Sequence, residues 1–466
     1  MNRPDVYDFQ TLATNFLENK IGMSEVWLAE LCISKFQELI RWNTSNRSWM
    51  IFDAESGLWE IKDEKPIIEM IRFVLDEIRQ LEAQMIMSHG VSRASRIKDI
   101  ERASRSSFIK GTQTLMSSYS MIQINSSEFD ANKLLVGLQD GQCLDLKNCE
   151  VRKIQAADFL TKRLGCTFDL DASTEFWQGL VLQWANGDRE LVQFLQTWAG
   201  YSLSGLTTEQ AFLFLYGAGN NGKSVYVNTL YKIMGDYADS LNSDFLMQRT
   251  NSGGHSTEIA KLMGKRLVTS NELSEGKFFD EKLINNLTGG EVVTARHVFE
   301  RDTSFFPQLK LIISGNHKPI VRGTSDGFWR RMRLVPFTAS ILRPDPNLND
   351  KLNNQLSGVL NWMIQGWKQY QEENLIPVPN AVKSLSLQYR DDMDLIQQWI
   401  NECIADDHEG CVPARDLYGS YCSWCTRYGF HPKSNNRFSE EFIKKTGSVK
   451  KRSKGSNLYL GFKLLS

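Results

Sequence analysis

The sequence predicts an α/β fold built around an open sheet. Three observations predict it. Residues 211–216 (AFLFLY) form an unbroken apolar run, as a strand buried on both faces would. GAGNNGKS (217–224) follows directly, and apolar residues then recur at helical spacing through 234. Two later apolar runs, 265–271 and 308–315, each lead into a polar side chain, where an α/β sheet presents its ligand-binding edge.

Ahead of this core, residues 27–40 and 66–85 carry apolar residues three and four apart and predict helices. Between them, 48–61 (SWMIFDAESGLWEI) reads as a hairpin turning at Glu55-Ser56-Gly57. Six basic residues follow: Arg93, Arg96, Lys98, Arg102, Arg105 and Lys110. They form either a nucleic-acid face or a solvated helix face. Residues 132–153 suggest short strands turning at Asp140-Gly141, and 173–204 reads as helix. After the core, Pro residues punctuate 343–350. Helices are expected at 350–373 and 381–405, then near 415–429 and 437–446, before a basic hairpin over 448–465. The domains expected are thus a mainly helical lead-in (1–160), a helical connector (161–204), the core (205–345), a helical segment (346–405) and a small winged-helix-like unit (406–466).

Bulk properties exclude little. Net charge is -1, so a nucleic-acid partner would have to meet a local basic surface. The N-terminus has no apolar signal region, and no apolar run is long enough to span a membrane. Eight cysteines scattered along the chain fit a reducing cytoplasm. Cys422 and Cys425, with Cys403, His408, Cys411 and His431 nearby, could form a zinc site. The apparent helix around the pair favours packed thiols.

The chemistry starts at Gly217, Ala218, Gly219, Asn220, Asn221, Gly222, Lys223 and Ser224, which satisfy G-x-x-x-x-G-K-[ST]. Glycines let backbone N–H groups converge on the phosphates of ATP, Lys223 reaches the β- and γ-phosphates, and the Ser224 hydroxyl ligates Mg²⁺. Glu272, at the end of the 265–271 run, is placed to orient water and help hold Mg²⁺; capping the strand's loop is the plainer alternative. Asn316 is placed to sense the γ-phosphate or hold the attacking water. Arg330, Arg331 and Arg333 cluster, and one of the first two, with Arg331 preferred, is expected to reach a neighbouring subunit's ATP. Residues 287–299 (LTGGEVVTARHVF) suggest a strand pair projecting Arg296 and His297 toward a phosphate backbone. Lys444, Lys445, Lys450, Lys451, Arg452 and Lys454 form a basic run that is either a DNA-touching wing or a solvated turn.

Together GAGNNGKS (217–224), GKRLVTSNELSEG (264–276), LTGGEVVTARHVF (287–299) and the stretch 305–337 resemble the superfamily 3 helicases, in particular the phage/plasmid primase–helicase branch related to the poxvirus primase-helicase. The resemblance implies an AAA+-like core and a ring, usually a hexamer, with ATP between subunits. It implies translocation on single-stranded DNA, usually 3′→5′, to open forked DNA in replication of a mobile element, in a bacterial host's cytoplasm. The long relatives carry an N-terminal primase domain that this sequence does not show, so a separate primase or polymerase is an expected partner. The competing reading is an initiator or loader ATPase that assembles on DNA without unwinding it. A metabolic kinase would leave the arginine cluster and the hairpin without a role.

Overall fold

The computed structural model describes residues 8–18, 22–89, 94–248, 255–271, 277–295, 303–321, 326–453 and 456–465. Its first helices are α1 (Phe9–Leu17) and α2 (Glu25–Phe36). Asp8 and Ser24 start them by accepting the backbone N–H of Thr11 and Trp27. The strands β1 (Ile40–Asn43), β2 (Ser48–Asp53) and β3 (Leu58–Lys62) form a meander, so the hairpin over 48–61 lies where the alternation predicts it. Next come α3 (Lys65–His89), α4 (Ala94–Ala103), α5 (Ser106–Met116) and the short β4 (Gln123–Ile124), which pairs in parallel with β1. The helices close on one apolar cluster that includes Leu28, Ile71 and Ile109.

The helical lead-in extends only through Met116. Residues 117–172 hold no α-helix but a second meander, β5 (Leu135–Gly137), β6 (Gln142–Asp145) and β7 (Glu150–Lys153). Asp140 and Gly141 both have positive φ at its first turn, as the Asp-Gly pair predicts. The basic residues of 94–110 are partly structural. Arg96 is buried against Glu82 at 2.8 Å, and Arg102 donates to the Met23 carbonyl at 2.7 Å, so neither expectation for this stretch applies to Arg96.

The helices α6 (Glu175–Trp184) and α7 (Arg189–Leu203) lead into the core. There β8 (Phe212–Tyr216), α8 (Lys223–Met234), β9 (Ala238–Ser240), α9 (His255–Lys261), β10 (Leu267–Asn271) and α10 (Glu281–Thr288) follow in order. A short antiparallel pair, β11 (Val293–Ala295) and β12 (Thr303–Phe305), precedes β13 (Lys310–Gly315), α11 (Asp326–Trp329) and β14 (Met332–Pro336). Five strands form one parallel sheet in the order β14-β8-β13-β10-β9. The apolar run in β8 is explained by burial on both faces. Leu213 and Leu215 enter one cluster with α6, α7 and α8, while Phe212 and Phe214 enter another with Phe279 and Phe328. Trp177 stacks on Tyr226 at 5.9 Å, and the Tyr226 hydroxyl donates to the Leu195 carbonyl at 2.9 Å, which locks α8 to α6 and α7.

After β14 come α12 (Leu348–Asn353), α13 (Leu356–Glu373), α14 (Asn380–Met393) and α15 (Leu395–Cys403). Residues of α7 and α13 share one cluster with the sheet, so connector, core and following helices are packed together. The C-terminal unit adds β15 (Ile404–Pro413), α16 (Ala414–Arg427), α17 (Asn435–Thr446), β16 (Lys450–Ser453) and β17 (Ser456–Leu464), with an antiparallel sheet in the order β15-β17-β16. Its cluster begins with Ile396 and Trp399 of α15, ahead of the boundary expected at 406. β15 has no sequence forecast because it is a polar edge strand whose register shifts between Asp406 and Cys411. Cys425 lies in this cluster, and burial pushes its thiol above the ordinary range. Among the described residues no three His, Cys, Asp or Glu side chains gather as a metal site, and no helix is long and apolar enough to cross a membrane.

Candidate functional site

The glycine-rich loop leaves the carboxyl edge of β8 and enters α8 at Lys223, with Gly222 as N-cap. Gly222 has φ +88°, and a Cβ there would lie 2.4 Å from the Trp184 indole, so both backbone and packing demand glycine. A Cβ on Gly217 would lie 2.1 Å from the Phe337 carbonyl oxygen. The segment after β14 therefore presses on the loop. Asn221 Nδ2 donates to that same carbonyl at 2.8 Å, and the Ile341 N–H donates to the Asn220 carbonyl at 3.0 Å.

Inside this cradle the Lys223 ammonium donates to three oxygens: the Gly217 carbonyl at 2.6 Å, Asn221 Oδ1 at 3.1 Å and Asn316 Oδ1 at 3.2 Å. Burial holds it below the usual lysine range. Asn316 arrives because β13 is inserted between β8 and β10, which sets its carboxyl end beside the loop. Next to it the Ser314 hydroxyl donates to Asn271 Oδ1 at 2.8 Å, tying the carboxyl ends of β13 and β10 together. Ser224 is exposed in the first turn of α8. A cleft of about 640 Å³ opens over these groups, and Gly219, Asn220, Asn221, Lys223, Ser224 and Asn316 all line it. Positive-φ glycines in an uncluttered loop, a lysine held only by neutral oxygens and an exposed hydroxyl fit a magnesium–triphosphate. Lys223 and the loop N–H groups would hold the phosphates, and Ser224 the metal. Glu272 lies outside the described residues.

The arginines lie at the other edge of the sheet. Met332 pairs with Phe212 and Pro336 with Tyr216, so Arg330 and Arg331 flank the amino end of β8. At about 3.3 Å per residue they stand roughly 17 Å from the loop, beyond the reach of their own side chains. Arg331 Nη1 donates to the Thr288 carbonyl at 3.3 Å and the Gln210 carbonyl at 3.4 Å, and burial holds its guanidinium below the usual range. Arg330 is exposed, and among the described residues its side chain has no hydrogen-bond or ion-pair partner. The antiparallel pair pins Val293 to Phe305 and Ala295 to Thr303, but Arg296 and His297 lie outside the described residues. In the C-terminal hairpin Lys451 and Arg452 are exposed, facing Leu458 and Asn457 across the ladder; the Lys450 side chain is outside the described set. Lys445 is paired with Asp394.

Three family descriptions match separate stretches of the chain: "D5 N terminal like" at 29–183, "Family of unknown function (DUF5906)" at 215–331 and "Poxvirus D5 protein-like" at 391–464. Among curated proteins, "Putative helicase L207/L206" of Acanthamoeba polyphaga mimivirus is 24% identical over 323 residues, covering 63% of this chain and 33% of its own length. "Putative helicase 121R" of Invertebrate iridescent virus 3 is 22% identical over 384 residues, covering 73% of this chain and 40% of its own length. "Putative primase C962R" of African swine fever virus (isolate Warthog/Namibia/Wart80/1980) is 21% identical over 241 residues, covering 46% of this chain and 25% of its own length. The chain is thus similar to D5-type proteins over two separate stretches, and to viral proteins named putative helicase and putative primase.

The chain spans between a quarter and two fifths of the length of these relatives. Among solved structures, the apo C-terminal region of NrS-1 covers 95% of this chain and 100% of its own, with a TM-score of 0.51 at 11% identity, a likeness of fold. The first D5-type stretch ends within α6, one residue before Trp184, and the last runs from the end of α14 through β17. Sequence reasoning placed Asn221 in the loop without its side-chain bonds, and missed Asn271 and Ser314 as parts of the site and the 341–345 segment as part of the cleft's lining. Asn221 was visible only as an unspecified position of the motif. That segment fell at the end of the expected core, where prolines begin to punctuate the chain.

Proposed function

We propose that this chain is the ATP-hydrolysing motor of a superfamily 3-type DNA helicase, with an AAA+-like core and a winged-helix arrangement at its C-terminal end. The observation that carries the reading is the Lys223 ammonium, buried at the carboxyl edge of a parallel sheet and shared between loop oxygens and Asn316. On this reading Lys223 and the loop N–H groups bind the β- and γ-phosphates, and Asn316 positions the attacking water against the γ-phosphate. Glu272 orients that water and accepts its proton. Magnesium, held by Ser224 with Glu272 assisting, supplies charge neutralisation on the phosphates. The remoteness of Arg330 and Arg331 from their own loop supports a role at a neighbour's ATP, hence a homo-oligomeric ring, by family resemblance a hexamer.

DNA contacts on this reading are Arg296 and His297, which lie in sequence between β11 and β12, and Lys450, Lys451 and Arg452 in the C-terminal strand pair of β16 and β17. They grip the phosphate backbone of single-stranded and forked DNA. Replication of a viral, phage or plasmid element, 3′→5′ movement and partnership with a primase or polymerase follow from the same family reading.

Fork unwinding with ATP and Mg²⁺, wild type beside Lys223→Ala, with native mass measured on the same samples, tests it. Unwinding by a ring, abolished in the variant, is the expected outcome. DNA-stimulated hydrolysis without strand separation would replace the helicase by a loader. Full hydrolysis by Lys223→Ala would remove the site itself.

A further inference from the structure

We infer that the cleft continues outward from the phosphate loop into a nucleoside subsite lined by Phe176 and Arg343. This rests on reading the loop as a triphosphate site. One wall is α6. Trp184 lies against Gly222, close enough that a Cβ there would come within 2.4 Å of its ring, so α6 begins its contact at the loop. Leu180 and Phe176 follow at four-residue spacing on the same face and line the same cleft. Each step of four is about 6 Å along the axis, which sets Phe176 about 12 Å further out than Trp184. Phe176 is 37% exposed while its neighbour Trp177 is buried, so this aromatic is spent on the cleft and not on the core.

The segment after β14 lines the same cleft. Ile341 is fastened to the loop by its N–H bond to the Asn220 carbonyl, and Arg343 and Pro344 follow it along the cleft. Arg343 is exposed, and among the described residues its guanidinium has no hydrogen-bond or ion-pair partner. The nearby carboxylate of Asp345 is engaged by Lys351 at 2.6 Å. A phenyl ring and an unengaged planar cation lining one cleft suit a flat aromatic occupant: guanidinium groups stack on π-faces, and aromatic rings pair offset or edge-on. The walls are continuous with the phosphate cradle, so that occupant is the base of the nucleotide whose phosphates the loop holds. At about 640 Å³ the cleft has the size of an ordinary small-molecule site.

The test is equilibrium binding of MgATP and of inorganic triphosphate to wild type, Phe176→Ala, Phe176→Tyr, Arg343→Ala and Lys223→Ala. Phe176 and Arg343 are exposed, so their truncation opens no core cavity. Phe176→Ala and Arg343→Ala should each weaken ATP roughly tenfold and leave triphosphate unchanged. Phe176→Tyr should restore ATP binding, and Lys223→Ala should weaken both ligands. Equal loss of both ligands in Phe176→Ala or Arg343→Ala, or no loss of ATP, overturns the subsite. Wild type binding neither ligand, or Lys223→Ala binding both normally, overturns the phosphate reading beneath it.

Discussion

Asn221 shows how much one side chain settles in the loop. Its amide donates to the Phe337 carbonyl and its oxygen accepts from Lys223, so a single carboxamide joins the loop lysine to the end of β14. The neighbouring glycine makes the prediction at this scale. Gly222→Ala forces alanine to φ +88° and drives its Cβ into the Trp184 ring. We expect it to lower unfolding stability by about 1–3 kcal/mol and to abolish ATP binding. Trp184→Ala alone should cost about 3–5 kcal/mol, because it empties a core position. The double variant should lose less than the sum, since the clash disappears with the indole. Urea unfolding of all three against wild type checks this; strict additivity would mean that Trp184 does not constrain the loop.

Among elements, β14 is the one that links two ends of the sheet. At its amino end are Arg330 and Arg331. Its carboxyl end runs into Phe337, whose N–H donates to the Tyr216 carbonyl at 2.8 Å and whose carbonyl is held by Asn221. The Arg331 guanidinium is engaged at the carboxyl end of α10, where carbonyls favour a cation, whereas Arg330 is exposed and unpaired among the described residues. Arg330→Ala should therefore bind ATP normally and lose hydrolysis by about 10³-fold or more. Arg331→Ala should show a smaller kinetic loss together with reduced stability. Mixing Arg330→Ala with Lys223→Ala protomers should recover partial hydrolysis, because some interfaces then combine an intact loop with an intact arginine. No recovery at any ratio, or an ATP-binding defect in Arg330→Ala, would place the arginine in its own subunit's chemistry.

Across the whole molecule, two buried cations fasten the amino edge of the sheet to what precedes it. Arg266 donates to the Leu203 carbonyl at 2.6 Å and the Leu135 carbonyl at 2.9 Å, with the Tyr237 ring 4.5 Å away. Lys310 donates to the carbonyls of Ser204, Gln308 and Leu206. These bonds cap the end of α7 and reach the β5 meander, so the D5-type N-terminal stretch is tied to the core. Burial, with Arg266 and Lys133 nearby, holds Lys310 well below the usual lysine range. An unfolded chain keeps that proton up to about pH 10.4, so between the two values the unfolded state binds more protons and stability rises with pH. The stability of wild type minus that of Lys310→Met should therefore increase from about pH 7 to about pH 9.5 in urea unfolding. A difference that stays flat or falls would mean that Lys310 titrates at its ordinary value.

The phosphate loop, its flanking strand and helix, the strand leading to Asn316, the 48–61 hairpin and the Asp140-Gly141 turn were legible because each is encoded locally, by apolar period or by a residue that a turn requires. β15 was not, since its polar sequence acquires strand geometry only from pairing with β17. Arg96 was not either, because its carboxylate partner, Glu82, sits on α3, a different helix from its own α4. By itself the sequence determined the residue types of the proposed phosphate site and their order along the chain. Only the tertiary structure decided that Asn316 meets Lys223, that Arg330 and Arg331 stand at the opposite edge, and that a proline-punctuated segment lines the cleft. The physical reason is the strand order: inserting β13 between β8 and β10 and placing β14 outside β8 fixes which ends are neighbours, and no local period carries that information.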